Sequence, residues 1–163
     1  MKENLDTTRT EEEQATFRAA TADDVPAMSA LIASENLPPF FIEEFLDGFI
    51  VSERGAEMMA CGGVEIYGDG AVIRSIVVAP DGRGLGLGRR AAELLMEQGR
   101  ERGAGEFYLF TMDAWPFWQH LGFADVALED WADAPRACWQ YQYISQNPDH
   151  EMFKGMHSMR KRV

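Results

Sequence analysis

The amino-acid sequence predicts a mixed α+β domain, with a mostly antiparallel central sheet of about six to seven strands flanked by about four helices. Three observations carry this expectation. The apolar runs "FIVSE", "EMMACGGVEIY" and "AVIRSIVV" follow one another through "RGAE" and "GDG", connectors of hairpin length. Stretches with apolar residues at helical spacing lie on either side of them. The chain has 163 residues, 46% of them apolar, enough for one core, and no run long enough to span a membrane.

The elements follow in order. "FRAAT", 17–21, is a short strand. Thr21 is an N-cap with Asp24 three residues on, and Val25, Met28, Leu31 and Ile32 then share one helical face. "PPFFIEEFLDG" is a short second helix, entered through Pro38 and Pro39 and closed by Gly48. Three antiparallel strands come next, then a glycine-rich loop and a long helix over 88–102, ended by Gly103. "EFYLFT" is a strand and "AWPFWQHL" a short helix stopped by Gly122. "FADVAL" and "ACWQYQYI" are two last strands, and "NPDHEMFKGMHSMRKRV" is a short helix or disordered. The expected organisation is a disordered acidic tail over 1–16, one domain over 17–145 and a basic tail over 146–163. "MKENLDTTRTEEEQAT" has no apolar core segment, so it does not read as a secretory signal.

Charge narrows the function. A formal net charge of -12 argues against nucleic acid as a general partner, because phosphates would be repelled. Cys61 and Cys138 sit in apolar runs and read as buried thiols of a cytoplasmic protein. His120, His150 and His157 have no metal-ligand spacing, so no metal is expected. Arg100 and Arg102 suit a helix C-terminus. Arg83, Arg89 and Arg90 stand at a helix start, where cations oppose the dipole, and so call for an anionic ligand.

The loop "RGLGLGRR" supplies the rest of that argument. A helix N-terminus offers unpaired N–H groups, glycine lets an oxygen approach the backbone closely, and arginine adds bidentate contacts. The stretch reads as a pyrophosphate cradle. No Lys-Ser/Thr follows, so it is not a Walker loop. Its G-x-G-x-G spacing, after hairpin-linked strands, is not the dinucleotide fingerprint either.

At this point the sequence resembles the GNAT superfamily of acetyl-CoA-dependent N-acetyltransferases. Arg83, Gly86 and Gly88 match that family's Arg/Gln-x-x-Gly-x-Gly/Ala motif after "SIVVAP", and "FWQHLGF" is similar to its aromatic-x-x-x-Gly-Phe segment. "ACGGVEIYGDGAVIRSIVVAP" with "YLFTMDAWPFWQHLGF" looks like the arsenic-resistance subgroup and, more loosely, like short N-acetylglutamate synthases. The resemblance implies a GNAT-type sheet and acetyl-CoA as cosubstrate. Ile76, Val77 and Val78 would bind the pantetheine arm through their backbone. Arg83, Gly84, Leu85, Gly86, Leu87, Gly88 and Arg89 would hold the pyrophosphate, and Phe117 and Trp118 would lie along the coenzyme. It also implies direct transfer to an amine within a ternary complex, catalysed mainly by positioning.

Two carboxylate and guanidinium positions stay open between readings. Glu65, inside an apolar strand, is the candidate base, with a raised pKa or a water relay; the alternative is a side chain pointing to solvent. Arg74 either grips a substrate carboxylate or pairs with Glu65 one hairpin strand away. The family often has Tyr where this chain has Trp118, and indole is no proton donor at neutral pH, so Tyr108, Tyr67, His120 or water stands in for the acid. Phe40 and Phe41 would shape the acceptor pocket. The expected activity is acetyl transfer to a small amino-acid-like amine, with a protein or peptide acceptor and an acetyl-CoA-binding sensor as alternatives. A homodimer is expected by family analogy.

Overall fold

The structure is a computed structural model that describes residues 16–163. The tail expected over 1–16 therefore lies, Thr16 apart, outside the described residues. Strands β1 (Thr16–Ala19), β2 (Phe49–Arg54), β3 (Glu57–Tyr67), β4 (Gly70–Val78), β5 (Glu106–Thr111), β6 (Ala124–Asp125) and β7 (His157–Arg162) form one sheet in the order β1-β2-β3-β4-β5-β7-β6. Helices α1 (Val25–Ser34), α2 (Leu87–Glu101), α3 (Trp115–His120) and α4 (Trp139–Gln146) complete the α+β fold. The expected strand and helix numbers and the two hairpins hold. Gly55 and Gly68 turn the hairpins at φ +61° each, a conformation open to glycine and strained for residues with a Cβ.

Alternation along the strands sends side chains to two faces. One face packs Val64, Ile73, Phe107 and Leu109 against Ala91, Leu95 and Met96 of α2. The other packs Phe49, Val51, Cys61 and Val77 against Met28 and Ile32 of α1, with Val72, Tyr108, Trp131 and Tyr141 continuing it beside α4.

Four expectations are corrected. The segment "ACWQYQYI" is helical, not a strand. Its alternating letters conceal a spacing of three, Cys138 and Tyr141 facing the core, and the Cys138 sulfur caps the helix by accepting the Tyr141 N–H at 3.3 Å. The C-terminal stretch, expected as a short helix or disordered, supplies β7, inserted between β5 and β6. Its basic residues serve the domain: Arg162 meets Glu106 at 2.7 Å and Lys161 donates to the Leu121 carbonyl at 2.8 Å. "FADVAL" reduces to the two-residue β6, and "PPFFIEEFLDG" to a 3-10 turn over Glu43–Gly48, kinked at Phe45.

Candidate active site

The site begins where the sheet comes apart. β4 is parallel to β5, but the ladder holds only at Gly70↔Glu106, Ala71↔Phe107 and Val72↔Tyr108. Past Val72 the strands diverge, and the β5-facing backbone of Ile73 to Val78 has no strand partner. The resulting cleft measures about 690 Å³ and runs between β4 and the end of β5, floored by Trp118.

A bulge shapes its wall. Cys61 pairs with Val77 and Gly63 with Arg74, so β4 carries one extra residue here, and Ser75 sits at φ +58°. The paired glycines of β3 leave room on both sides of it, Gly62 for the bulged strand and Gly63 for Phe49. A Cβ at Gly62 would lie 2.8 Å from the Ile76 side chain, and one at Gly63 would lie 2.7 Å from the Phe49 ring. The Cys61 thiol reaches the Ser75 carbonyl at 3.7 Å, and burial pushes that thiol up to about 12. It is a packing group, as its apolar strand implied.

At the far end of β4, Pro80–Gly82 form a 3-10 turn, followed by the glycine loop and α2. Gly84 and Gly86 stand at φ +78° and +77°, with nothing within 4 Å of where a Cβ would be. The N–H groups from Gly84 to Arg89 have no acceptor among the described residues; the first bond into the helix is Arg90 N–H to the Gly86 carbonyl at 3.0 Å. Arg83 is exposed and held by Glu35 at 2.6 Å, and Arg89 is exposed beside Glu93 at 3.1 Å. Bare donors and a second cation, Arg89, follow Arg83, which borders the cleft, in an arrangement suited to an elongated anion.

Residues 10–123 match the model of the Acetyltransferase (GNAT) family. The chain belongs to that family. It is 24% identical over 144 residues to the amino-acid acetyltransferase of Pasteurella multocida, spanning 83% of this chain and 33% of that protein. Its fold is similar to N-acetylglutamate synthase from Neisseria gonorrhoeae, solved with coenzyme A and N-acetyl-glutamate (TM-score 0.76, 18% identity, 92% of this chain, 35% of that one). It is also similar to Rv2747 from Mycobacterium tuberculosis, solved with CoA and a second ligand (TM-score 0.70, 19% identity, 91% and 99% of the two chains). The chain thus spans about a third of the length of the first two relatives.

In this GNAT chain Arg74, Ser75, Ile76, Val77, Val78, Arg83 and Trp118 all border the cleft. Phe117 lies beside it, 4.0 Å from where a Cβ at Gly88 would be, with its ring edge-on to Trp118. Glu65 and Arg74 meet each other. Glu65 Oε2 accepts from Arg74 at 3.0 Å and Oε1 from the Tyr67 hydroxyl at 2.6 Å. The two charged side chains are 1% and 0% exposed, so Glu65 does not point to solvent, and it does not border the cleft. Arg74 also donates to Ser75 Oγ and to the Phe40 carbonyl, and its guanidinium lies between the rings of Phe49 (5.6 Å) and Trp139 (5.4 Å). Phe40 and Phe41 pack on Trp139 at 5.8 and 5.9 Å, and Phe41 sits at φ +59°. The Trp139 indole N–H is buried without an acceptor.

The proposed stand-ins for the missing tyrosine lie elsewhere. Tyr67 donates to Glu65, and burial together with that bond holds its hydroxyl well above the usual phenol range. Burial and a bond to Glu106 raise Tyr108 likewise, and His120 is exposed at the end of α3. Ser75, Thr111, Asn36 and Gln140 border the cleft and were not singled out in the sequence. Paired glycines inside a strand were the available signal for the bulge that carries Ser75. Among the described residues, no group of three or more His, Cys, Asp or Glu is arranged to hold a metal and no helix is long and apolar enough to cross a membrane.

Proposed function

We propose that the chain is an acetyl-CoA-dependent N-acetyltransferase that acts on the amine of a small amino-acid-like acceptor. The observation that carries this is the run of unpartnered N–H groups from Gly84 to Arg89, which starts next to Arg83, a residue that borders the β4–β5 cleft. Those donors, with Arg83 and Arg89, would hold the pyrophosphate, and the free backbone of Ile76 to Val78 would bind the pantetheine arm. Phe117 and Trp118 would flank it. Acetyl-CoA supplies an acetyl thioester open to attack by an amine. The chain's own share is to align the two reactants, exclude water and offer N–H groups to the developing oxyanion.

The acceptor side favours a carboxylate. Arg74, which borders the cleft, is the candidate donor for it, and the amino-acid acetyltransferases similar to this chain point the same way. Phe40 and Phe41, expected to shape the acceptor pocket, border instead a separate hollow with Pro39 and Glu43. Glu65 serves by holding the Arg74 guanidinium in place rather than by taking the proton itself, because the carboxylate is enclosed by Arg74 and Tyr67. The resemblance of β3 and β4 to the arsenic-resistance subgroup adds amino-acid-like arsenicals to the acceptor screen.

The test is calorimetric titration of acetyl-CoA into the wild type and Gly86→Asp, whose carboxylate would enter the open space of the cradle and repel phosphate. Binding by the wild type with at least a tenfold loss in the variant (about 1.4 kcal/mol) is expected. A folded wild type that does not bind would overturn the reading. Acceptors are then screened by thiol release, amino acids first.

A further inference from the structure

Ser75 borders the cleft in a left-handed conformation, φ +58°, where a residue with a Cβ is strained. Glycine would make the same turn freely. The hydroxyl at this position is therefore retained against the backbone preference. Its Oγ accepts the Arg74 Nε–H at 3.2 Å. The guanidinium that donates is buried, paired with Glu65 and clamped between two rings, so it holds the hydroxyl in one orientation. A serine oxygen has one hydrogen to give and two lone pairs. Arg74 occupies one lone pair. The hydrogen and the second lone pair have no partner among the described residues, and Ser75 borders the cleft.

Thr111 is the other hydroxyl residue that borders the cleft, but no hydrogen bond among the described residues fixes its orientation as Arg74 fixes that of Ser75. Trp118 offers no exchangeable acid, and the hydroxyl hydrogens of Tyr67 and Tyr108 are given to Glu65 and Glu106. We infer that the Ser75 hydroxyl is the proton shuttle of acetyl transfer, carrying a proton from the attacking amine to the departing sulfur. This rests on the acetyltransferase reading above. The amine lone pair forms the new C–N bond at the thioester carbon, and the C–S bond breaks with its electron pair on sulfur. Oγ takes one proton from the positively charged nitrogen as it gives its own hydrogen to that sulfur. The products are the neutral amide and the CoA thiol, the hydroxyl is regenerated, and no alkoxide forms. The Arg74 hydrogen bond polarises the O–H toward donation.

The test compares the full-length wild type with Ser75→Ala and Ser75→Gly. CoA alone is titrated in each complex by the ultraviolet absorbance of its thiolate, alongside calorimetric affinity for CoA and turnover of acetyl-CoA with L-glutamate. A hydroxyl facing the sulfur stabilises the thiolate, so bound CoA should ionise less readily in both variants, by about tenfold in the ionisation constant. Turnover should fall about 10²-fold, with CoA affinity within about twofold, well inside the tenfold that 1.4 kcal/mol represents. Ser75→Gly relaxes the +58° backbone and so gives a folded comparison even where Ser75→Ala does not. A role confined to supporting Arg74 would move the KM for the acceptor and leave the CoA titration unchanged. Unchanged CoA ionisation in Ser75→Gly overturns the shuttle while leaving the acetyltransferase reading intact. A wild type that binds no CoA overturns both. The CoA titration needs no acceptor, so it decides even where glutamate is not turned over.

Discussion

At the scale of single residues, Arg74, at the border of the cleft, ties three parts of the molecule together. One guanidinium holds β3 through Glu65, the bulge through Ser75 Oγ and the aromatic pair Phe40 and Phe41 through the Phe40 carbonyl. Removing one member of a buried ion pair strands the other charge and costs about 3–5 kcal/mol. Glu65→Gln keeps the shape and an acceptor oxygen, so its cost should fall at the lower end, about 3 kcal/mol, read from urea unfolding at neutral pH. In the assay it should raise the acceptor KM and leave the acidic limb of the pH profile in place. Loss of that limb would make Glu65 the base after all. The Glu65–Arg74 pairing was one of two arrangements open in the sequence. Which one holds depends on the cross-strand register of β3 and β4, and the extra residue at the bulge shifts that register by one.

At the scale of elements, α1 and α2 start differently. The 3-10 turn Ala22–Asp24 leads into α1, and the Asp24 carboxylate gathers Thr21 N–H at 2.7 Å and both Arg18 Nη groups at 2.7 and 2.8 Å. Chiefly through Arg18, its carboxyl lies well below the usual carboxylate range. A lowered folded pKa stabilises the fold fully above the unfolded value near 4 and loses that stabilisation as pH falls through the folded value. Asp24→Asn should therefore cost about 1 kcal/mol at pH 7, discounted for the part-exposed Arg18. The difference between the two proteins should close in strong acid. Urea melts across that pH range check the sign. At α2 the N-terminus is left uncapped, with Gly86 in the left-handed region and the donors pointing outward. That absence of capping leaves the donors available for an anion. α4 shows the limit of pattern reading, since a short alternating run satisfies a strand and a helix of period three alike, and Cys138 as a sulfur cap is a rare signal.

At the scale of the whole molecule, the last strand closes the sheet. β7 pairs with β5 from Glu106↔Arg162 to Thr111↔His157 and carries Met159 into the core. Ending the chain before His157 would bare the β5 edge and expose that core. The truncated protein should lose its cooperative thermal transition and aggregate, as followed by circular dichroism and light scattering; retention of the wild-type melt would show β7 to be dispensable. Across the acidic surface, the arginines of 83–90 remain the local positive field around the cradle.

The sequence alone was enough for the α+β plan, the two hairpins, the glycine loop at the mouth of α2 and the strand "SIVV", while the coenzyme-binding role of that strand came only from the family resemblance. Each of those elements follows from local chemistry: turn length, left-handed glycines, unpaired helix donors and apolar periodicity. It took the tertiary structure to place the parting of β4 and β5, which the resemblance implied, at Val72, to put the bulge residue Ser75 at the cleft, to pair Glu65 with Arg74, and to make the basic C-terminus a sheet strand. Those outcomes depend on which strand lies beside which, and in what register, and pairing between residues far apart in the chain leaves little trace in the local pattern of either partner.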